Sequence, residues 1–398
     1  VAGKTSADRQ YDIVLFGATG FTGRLTAEYL AGHTPESTRW ALAGRSLEGL
    51  EEVRSRLTGL NRACKDLPLL QADVTDPGSI RAVAESARVV VTTVGPYVKY
   101  GEPLVAACAE AGTDYLDLTG EPEFVDRMYV AYHEKACETG ARIIHAAGFD
   151  SVPHDLGAYF TVQRLPEGVP IRVEGFVRAS TSPSGGTVES VITAFSRGRQ
   201  NLQAARRRRA VEPRPDGRRV RISRGMALFA PPSGAWTVPM PSIDPEIVAR
   251  SARALDRYGP DFTYGHYFAT RRLAVLAGAV AGLGAVLAMA QLPPTRALLL
   301  RLRRAGEGPS PEVRARSWFN VRFVGEGGGR RVVTEVSGGD PGYDEAAKIL
   351  SEAALCLAHD DLPATAGQVT TVQAMGDALI GRLGRAGIPF RVLKESTV

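Results

Sequence analysis

The chain has 398 residues, 44% of them apolar and 23% charged, ordinary globular usage in a chain too long for one typical domain. Its four cysteines, Cys64, Cys108, Cys137 and Cys356, stand far apart with no CxxC pair, which excludes a disulfide framework and a zinc ribbon, and no metal is expected. The net charge of +5 averages a strongly basic stretch over an otherwise acidic chain.

A polar decapeptide with no apolar signal region opens the sequence, so a disordered start over residues 1–10 and a cytoplasmic protein are expected. The apolar run Ile13–Phe16 then turns, in DIVLFGATGFTGR, into a helical pattern over Thr22–Leu30, with Gly17, Gly20 and Gly23 at the junction. Helix amides at such an N-terminus lack internal partners and can hold an anion, and glycines let a pyrophosphate approach the backbone. The turn carrying Gly17, Thr19, Gly20, Phe21, Thr22 and Gly23 is therefore the candidate cradle of a dinucleotide. Apolar runs follow at 39–45, 67–73, 88–95, 114–118 and 141–148, separated by helical patterns; Asp76 before Pro77 caps one helix and Gly140 ends another. Six strands alternating with helices predict an α/β fold: a Rossmann-type doubly wound parallel sheet over 11–150, its ligand across the carboxyl ends of the strands.

The second strand ends in Gly44, Arg45 and Ser46 where an NAD site usually carries an acidic residue. The planar fork of Arg45 and the hydroxyl or amide of Ser46 suit a 2′-phosphate, so NADP(H) is the expected cofactor. Asp73, at the end of the third strand, either contacts adenine or opens the turn into Thr75 and Asp76. After the fourth strand GPYVKYG places Gly95 and Pro96 beside the cofactor and brings Tyr97, Lys99 and Tyr100 to the nicotinamide end. Asp117 and Glu121 either orient the nicotinamide or shape their turn. GFDSVPHDLG supplies Asp150, Ser151, His154 and Asp155 at the domain junction, with Asp155 as a helix cap. His133 and Cys137 share a helical face and read as ordinary helix residues.

Beyond residue 150 the alternation stops. Strands are predicted at 171–181, 262–270, 313–324 and 330–336, the last two joined by GEGGG, and helices at 187–195, 245–258 after the cap Asp244, 343–358 and 372–386. Residues 151–398 thus read as an α+β substrate or dimerisation domain on an antiparallel sheet, with C-terminal helices available to pack back on the first domain. Eleven arginines fall between Arg197 and Arg224 against Glu212 and Asp216, with 212–217 as a loop. Few aromatics interleave and no nucleic-acid motif accompanies them, so the patch suits an acidic protein, an anionic membrane, an anionic substrate or plain solvent. Residues 273–292 carry no charge, with Gly278 and Gly282 in GxxxG spacing. Three readings stand for that run: a helix buried or facing a second copy in a homodimer, a peripheral membrane contact, or a span.

GATGFTG, AGRS, GPYVKYGEPLVAACAEAGTDYLDLTGE, GFDSVPHDLG, SGGT and AMGDALIGRLGRAGIPF together resemble the saccharopine dehydrogenase-like oxidoreductases, in particular their actinobacterial trans-acting enoyl reductase branch. The likeness runs from about residue 11 to the C-terminus. It implies an NADP-binding Rossmann domain, an inserted α+β domain, and reduction of a polyketide or fatty acyl double bond held on a carrier. Gly49, where a lysine often follows AGRS, and TTVQAMG in place of the commoner TPAxAMG depart from the pattern. Such a reduction needs hydride at the β-carbon, a donor to the thioester carbonyl and a proton for the α-carbon. Tyr97 is the expected carbonyl donor, Lys99 its helper and His154 the proton source. The alternatives are an opine-type or saccharopine-type amino-acid dehydrogenase, which uses the same cofactor domain, and a non-catalytic cofactor-binding membrane-associated protein.

Overall fold

The structure, a computed structural model, describes residues 9–180, 192, 196–223, 225, 229–230, 235–291, 294–295 and 308–397. The first part alternates as β1 (Tyr11–Phe16), α1 (Phe21–His33), β2 (Trp40–Gly44), α2 (Leu47–Leu60), β3 (Leu69–Gln71), α3 (Pro77–Ser86), β4 (Ala87–Thr92), α4 (Tyr97–Tyr100), α5 (Glu102–Ala111), β5 (Asp114–Asp117), α6 (Pro122–Thr139) and β6 (Arg142–Ile144). Then come α7 (Val152–Val162), β7 (Ile171–Ser180), α8 (Gly198–Val211), β8 (Arg219–Ser223), β9 (Phe229–Ala230), β10 (Ala235–Pro239), α9 (Asp244–Ala254), β11 (Asp261–Thr270) and α10 (Leu273–Gln291). The chain closes with α11 (Pro311–Arg316), β12 (Trp318–Gly327), β13 (Arg330–Gly338), α12 (Asp344–His359), β14 (Gly367–Gln368), α13 (Thr371–Ala374), α14 (Gly376–Arg385) and β15 (Phe390–Thr397).

Seven strands form the first sheet in the order β14-β6-β5-β4-β1-β2-β3, every pairing parallel. All residues of β1 and β2 are buried, as a parallel sheet covered on both faces requires. The caps behave as their residues dictate: Asp76 accepts from the Gly78 amide ahead of Pro77, and Gly140 ends α6 at φ +80°. Strand order reverses between β1 and β4, and the crevice outside their carboxyl ends is where this architecture binds ligands. The seventh strand, β14, comes from the far end of the chain. Nearby α12 packs on α1, β1, β4 and β5, covering one face with residues more than 200 positions later.

The second sheet runs β15-β13-β12-β7-β11-β10-β9, with β8 also on β11. It is mixed rather than antiparallel: β11 pairs parallel with both β7 and β8. Helices α8 and α9 lie on the connections between those strands, and crossovers of that length return the chain in the same direction. By contrast β12 and β13 meet in a two-residue turn, Gly328 and Gly329 at φ +56° and +72°, and run antiparallel.

Several expected elements change. The predicted strand from residue 313 begins as α11 and becomes strand only at Trp318; the predicted helix 372–386 is two short helices broken near Gly376, at φ +43°. Asp244 is not a cap, since Ile243 holds that place and Asp244 opens the helix facing inward. The predicted helix 187–195, apart from residue 192, and the start over 1–8 lie outside the described residues. Within the arginine-rich stretch, helix α8 and strand β8 flank the expected loop over 212–217, and Arg224 lies outside the described residues. Finally α10 is not buried in the fold: only 12% of its apolar window is covered.

Candidate active site

The three glycines of the first turn have three different duties. Gly17 adopts φ +92°, and a Cβ there would lie 2.6 Å from Val94 Cγ2. A Cβ on Gly23 would lie 2.1 Å from the Gly17 carbonyl oxygen, so only glycine lets α1 close on the loop. Gly20 is exposed, with no atom nearer than 3.4 Å to its Cβ position, and leaves the outer face open. As N-cap of α1 it has no side chain to occupy the first amides, and no carboxylate stands in that turn. A pyrophosphate fits this cradle on geometry and on charge. Thr19 lies against Gly49, where a Cβ would come within 3.1 Å of its methyl group. Thr22 lends its carbonyl to the Thr26 hydroxyl, and the Phe21 ring turns away to meet Tyr343 edge-on at 5.1 Å. Only the backbone of Phe21 faces the cradle side.

At the adenosine end Arg45 is exposed beyond β2, while the Ser46 hydroxyl accepts from the Gly49 amide and caps α2. Asp73 takes the opening-turn option. Its carboxylate accepts from the Thr75 amide and hydroxyl, each at 2.8 Å, and these bonds, with Arg45 nearby, hold it below the usual carboxylate range.

The GPYVKYG loop is positioned from below. Glu121 accepts from the amides of Tyr97 and Val98 at 3.0 and 2.8 Å, so it shapes the turn. Asp117 does the same for the next turn, accepting from the Thr119 and Ala146 amides and from Tyr115, with His145 Nδ1 at 2.6 Å. Pro96 is buried behind exposed Gly95, and Lys99 is exposed. Tyr97 does not present its hydroxyl to a substrate: 5% exposed, it donates to the Thr92 carbonyl and accepts from the Leu118 amide, both at 3.2 Å. Burial raises its pKa well above the usual phenol value. The ring packs on Phe124, and Tyr97 fixes the loop.

The expectation for His154 also changes. It is wholly enclosed, both ring nitrogens lack hydrogen-bond partners, and burial lowers its pKa to about 4 despite the pull of Asp244, so it carries no proton to donate as an imidazolium near neutrality. Beside it His266 Nε2 lies 3.0 Å and His154 Nε2 3.9 Å from Asp244 Oδ2. Tyr264 lies 3.1 Å from His266 Nδ1, and Ser242 donates to Asp244. Burial alone would raise the Asp244 pKa, but His266 and the Ser242 hydroxyl help to hold it below the usual carboxylate value. His154, Asp244 and His266 offer three donor atoms within 4.8 Å, a set that could ligate a divalent cation and that no spacing in the sequence signals. His133 and Cys137, 3.8 Å apart, gain no third ligand among the described residues.

Asp150 is exposed at the carboxyl ends of the strands, and a Cβ on Gly120 would lie 3.3 Å from its Oδ2. Partial desolvation by the neighbouring protein atoms, with Asp244 adding repulsion, pushes its pKa up to about 7. It lies in the loop between β6 and α7, on the ligand side of the sheet. Asp155 is no cap: it accepts from Ser251, Thr371 and the Val372 amide, tying α7 to α9 and α13.

Residues 13–144 match the saccharopine dehydrogenase NADP binding domain. Over the whole length, a trans-acting enoyl reductase of Mycobacterium tuberculosis is 38% identical, covering 96% of this chain and 97% of that protein. The chain belongs to the trans-acting enoyl reductase family. Another member, from Mycobacterium ulcerans, is 36% identical over 96% of this chain and 98% of its own. The family's dinucleotide domain makes this chain an NADP-dependent oxidoreductase, consistent with a glycine cradle that fits a pyrophosphate. Apo saccharopine dehydrogenase (L-Glu forming) from Saccharomyces cerevisiae shares the fold, with TM-score 0.54 at 12% identity over 98% of this chain and 100% of that one.

Proposed function

We propose that this chain reduces the α,β double bond of an enoyl thioester, a polyketide or fatty acyl chain presented on a carrier protein. Full-length likeness to relatives named trans-acting enoyl reductases carries the reading. Bound NADPH supplies the hydride that the β-carbon requires. Arg45 and Ser46 hold its 2′-phosphate, the amides of Phe21, Thr22 and Gly23 its pyrophosphate, and Gly95 and Pro96 flank its nicotinamide. The Asp150 carboxyl delivers the proton to the α-carbon, because near neutrality it is part protonated and solvent contact recharges it. Glu121 and Tyr97 hold the GPYVKYG loop in place.

Arg199, Arg206, Arg207 and Arg209 are exposed on α8, whereas Arg197, Arg208, Arg218 and Arg221 pair with Glu123, Glu212, Asp256 and Asp261. The exposed set is the docking face for an acidic carrier, where it speeds encounter. A second contact is favoured by α10, whose exposed apolar surface suits a membrane.

The test is NADPH oxidation by purified protein with a small enoyl thioester and, separately, with an amine plus a 2-oxo acid. Turnover of the thioester alone is expected; turnover of the amine pair alone overturns the reading in favour of an amino-acid dehydrogenase. With Arg45→Ala, NADPH affinity should fall at least about tenfold toward that for NADH, equal to about 1.4 kcal/mol. An unchanged preference removes Arg45 from the 2′-phosphate site.

A further inference from the structure

A cavity of about 310 Å³ opens between α6, α9, the turn after α8 and the segment after β14, at a place the glycine loop does not reach. Its walls include Val125, Tyr129 and Ile247, but its polar lining is unusual. Arg250 is 8% exposed, and its Nη2 donates to Asp126 at 2.5 Å, while its Nε and Nη1 have no partner. His145 is 3% exposed, with Nδ1 on Asp117 and Nε2 at the opposite end of the ring unpartnered. Both side chains line this one cavity. A buried guanidinium with two idle nitrogens carries a desolvation cost that an acceptor would remove, and the idle Nε2 of a ring whose Nδ1 donates to Asp117 can accept from a hydroxyl of the same ligand.

Charge points the same way. Arg208, Arg214, Arg250 and Arg253 line the cavity, against Glu212 in the lining and Asp126 behind it. Arg208 is already satisfied, since Glu212 accepts from its Nε and Nη2 and its guanidinium stacks over Tyr129 at 3.9 Å. Arg250, by contrast, has its pKa lowered to about 10 by burial and by the neighbouring Arg208 cation. Half-buried Arg253 and exposed Arg214 stand at the rim. An anion in this space would accept from an idle nitrogen of Arg250 and offset the repulsion between the guanidiniums.

We infer that this cavity binds a phosphate-bearing ligand, at a site separate from the dinucleotide cradle. A tetrahedral oxyanion has acceptors enough for the buried guanidinium and a rim arginine at once. The volume lies at the small end for ligand pockets, which admits a small phosphoester or the phosphate end of a longer arm. Two sources share this chemistry: a free phosphoester and the phosphodiester of a carrier's pantetheine arm. The site does not depend on the acyl reduction being correct.

The experiment uses the full chain loaded with one equivalent of NADP+ and titrates it calorimetrically with inorganic phosphate, 4′-phosphopantetheine and pantetheine. Saturable binding of phosphate and of phosphopantetheine is expected, with pantetheine at least about tenfold weaker than its phosphate. Phosphopantetheine binding far tighter than phosphate assigns the carrier arm; equal binding assigns a free phosphoester. Arg253→Ser, at the rim, should weaken phosphate several-fold without altering NADP+ affinity, and Arg250→Lys should weaken it more while keeping the charge on Asp126 paired. If Arg250→Lys does not fold, Arg253→Ser alone decides. No saturable binding with the cofactor bound, or binding that Arg253→Ser leaves unchanged, overturns the site.

Discussion

Two residues beyond the carboxyl ends of the parallel strands separate holding from reacting. Tyr97 spends both hydrogen-bonding capacities of its hydroxyl on backbone, so Tyr97→Phe should leave turnover nearly intact. It should instead cost about 1–3 kcal/mol of stability, because the Leu118 amide loses its buried acceptor and the Thr92 carbonyl its donor. Chemical denaturation beside steady-state kinetics checks this, and a large kcat loss at unchanged stability would return Tyr97 to the chemistry. Asp150→Asn should do the reverse: stability is little changed, and kcat falls on the order of 10² to 10⁴-fold. The sign of its pH dependence follows from its role. A general acid works protonated, so wild-type kcat should fall as pH rises through about 7, and the Asn variant should lose that limb. A wild-type profile flat from pH 6 to 8 would remove Asp150 as the acid. The glycine cradle was legible because each glycine answers a local backbone need. The Asp150 setting was not: Asp244 acts on it from more than 90 positions away, and a lone aspartate in GFDSVPHDLG looks like any turn residue.

At the scale of elements, alternation of strand and helix up to residue 148 could be read because parallel strands buried on both faces are continuous apolar runs. The seventh strand could not, since Gly367–Gln368 is two residues long and exists only through pairing with β6. Strands β8 and β10 escaped for a related reason: alternating Arg and apolar residues in RVRIS look like a charged loop until β11 lies beside them. What joins these late elements to the early ones is side-chain chemistry, with Asp155 at its centre. Three donors converge on its buried carboxylate, yet burial outweighs them and its pKa is pushed up to about 6. Asp155→Ala should therefore cost about 2–4 kcal/mol at acidic pH, chiefly through the orphaned Val372 amide and two stranded hydroxyls. A carboxyl whose folded pKa is raised lends its stability fully below the unfolded value near 4 and loses it as pH rises through 6. The gap between wild type and Asp155→Ala should thus narrow by about 3 kcal/mol between pH 4 and pH 8. A gap that widens with pH would mean the carboxylate is the stabilising form.

For the molecule as a whole the unresolved burden is α10, 19 residues with mean hydropathy 2.3 over its apolar window, almost bare of protein. Leu273, Val275, Val280 and Leu287 are all exposed, and the apolar character runs round the helix instead of forming a stripe. A surface of that kind is stable in hydrocarbon and costly in water. Topology decides how it would enter. Strand β11 leads into α10 and β12 follows it, and both pair with β7 in one sheet, so a single crossing would tear that sheet across a bilayer. The segment must return to the side it left. Its flanks fit a lipid surface better than a second protein copy: between Phe262 and Gly306 the sequence holds Arg271, Arg272, Arg296, Arg301, Arg303 and Arg304 and no acidic residue. Apolar depth with only cations at both ends is the pattern of one-sided insertion into an anionic leaflet. Purified protein should therefore float with vesicles containing phosphatidylglycerol, and much less with neutral phosphatidylcholine vesicles. Replacing Val275, Val280 and Leu287 with Ser should abolish flotation while leaving turnover of a small soluble thioester in place; Arg271→Ser with Arg272→Ser should weaken it in a salt-sensitive way. Wild-type protein that stays in solution with anionic vesicles and sediments as a dimer, which the Ser variant then splits, would assign α10 to a second copy of the chain.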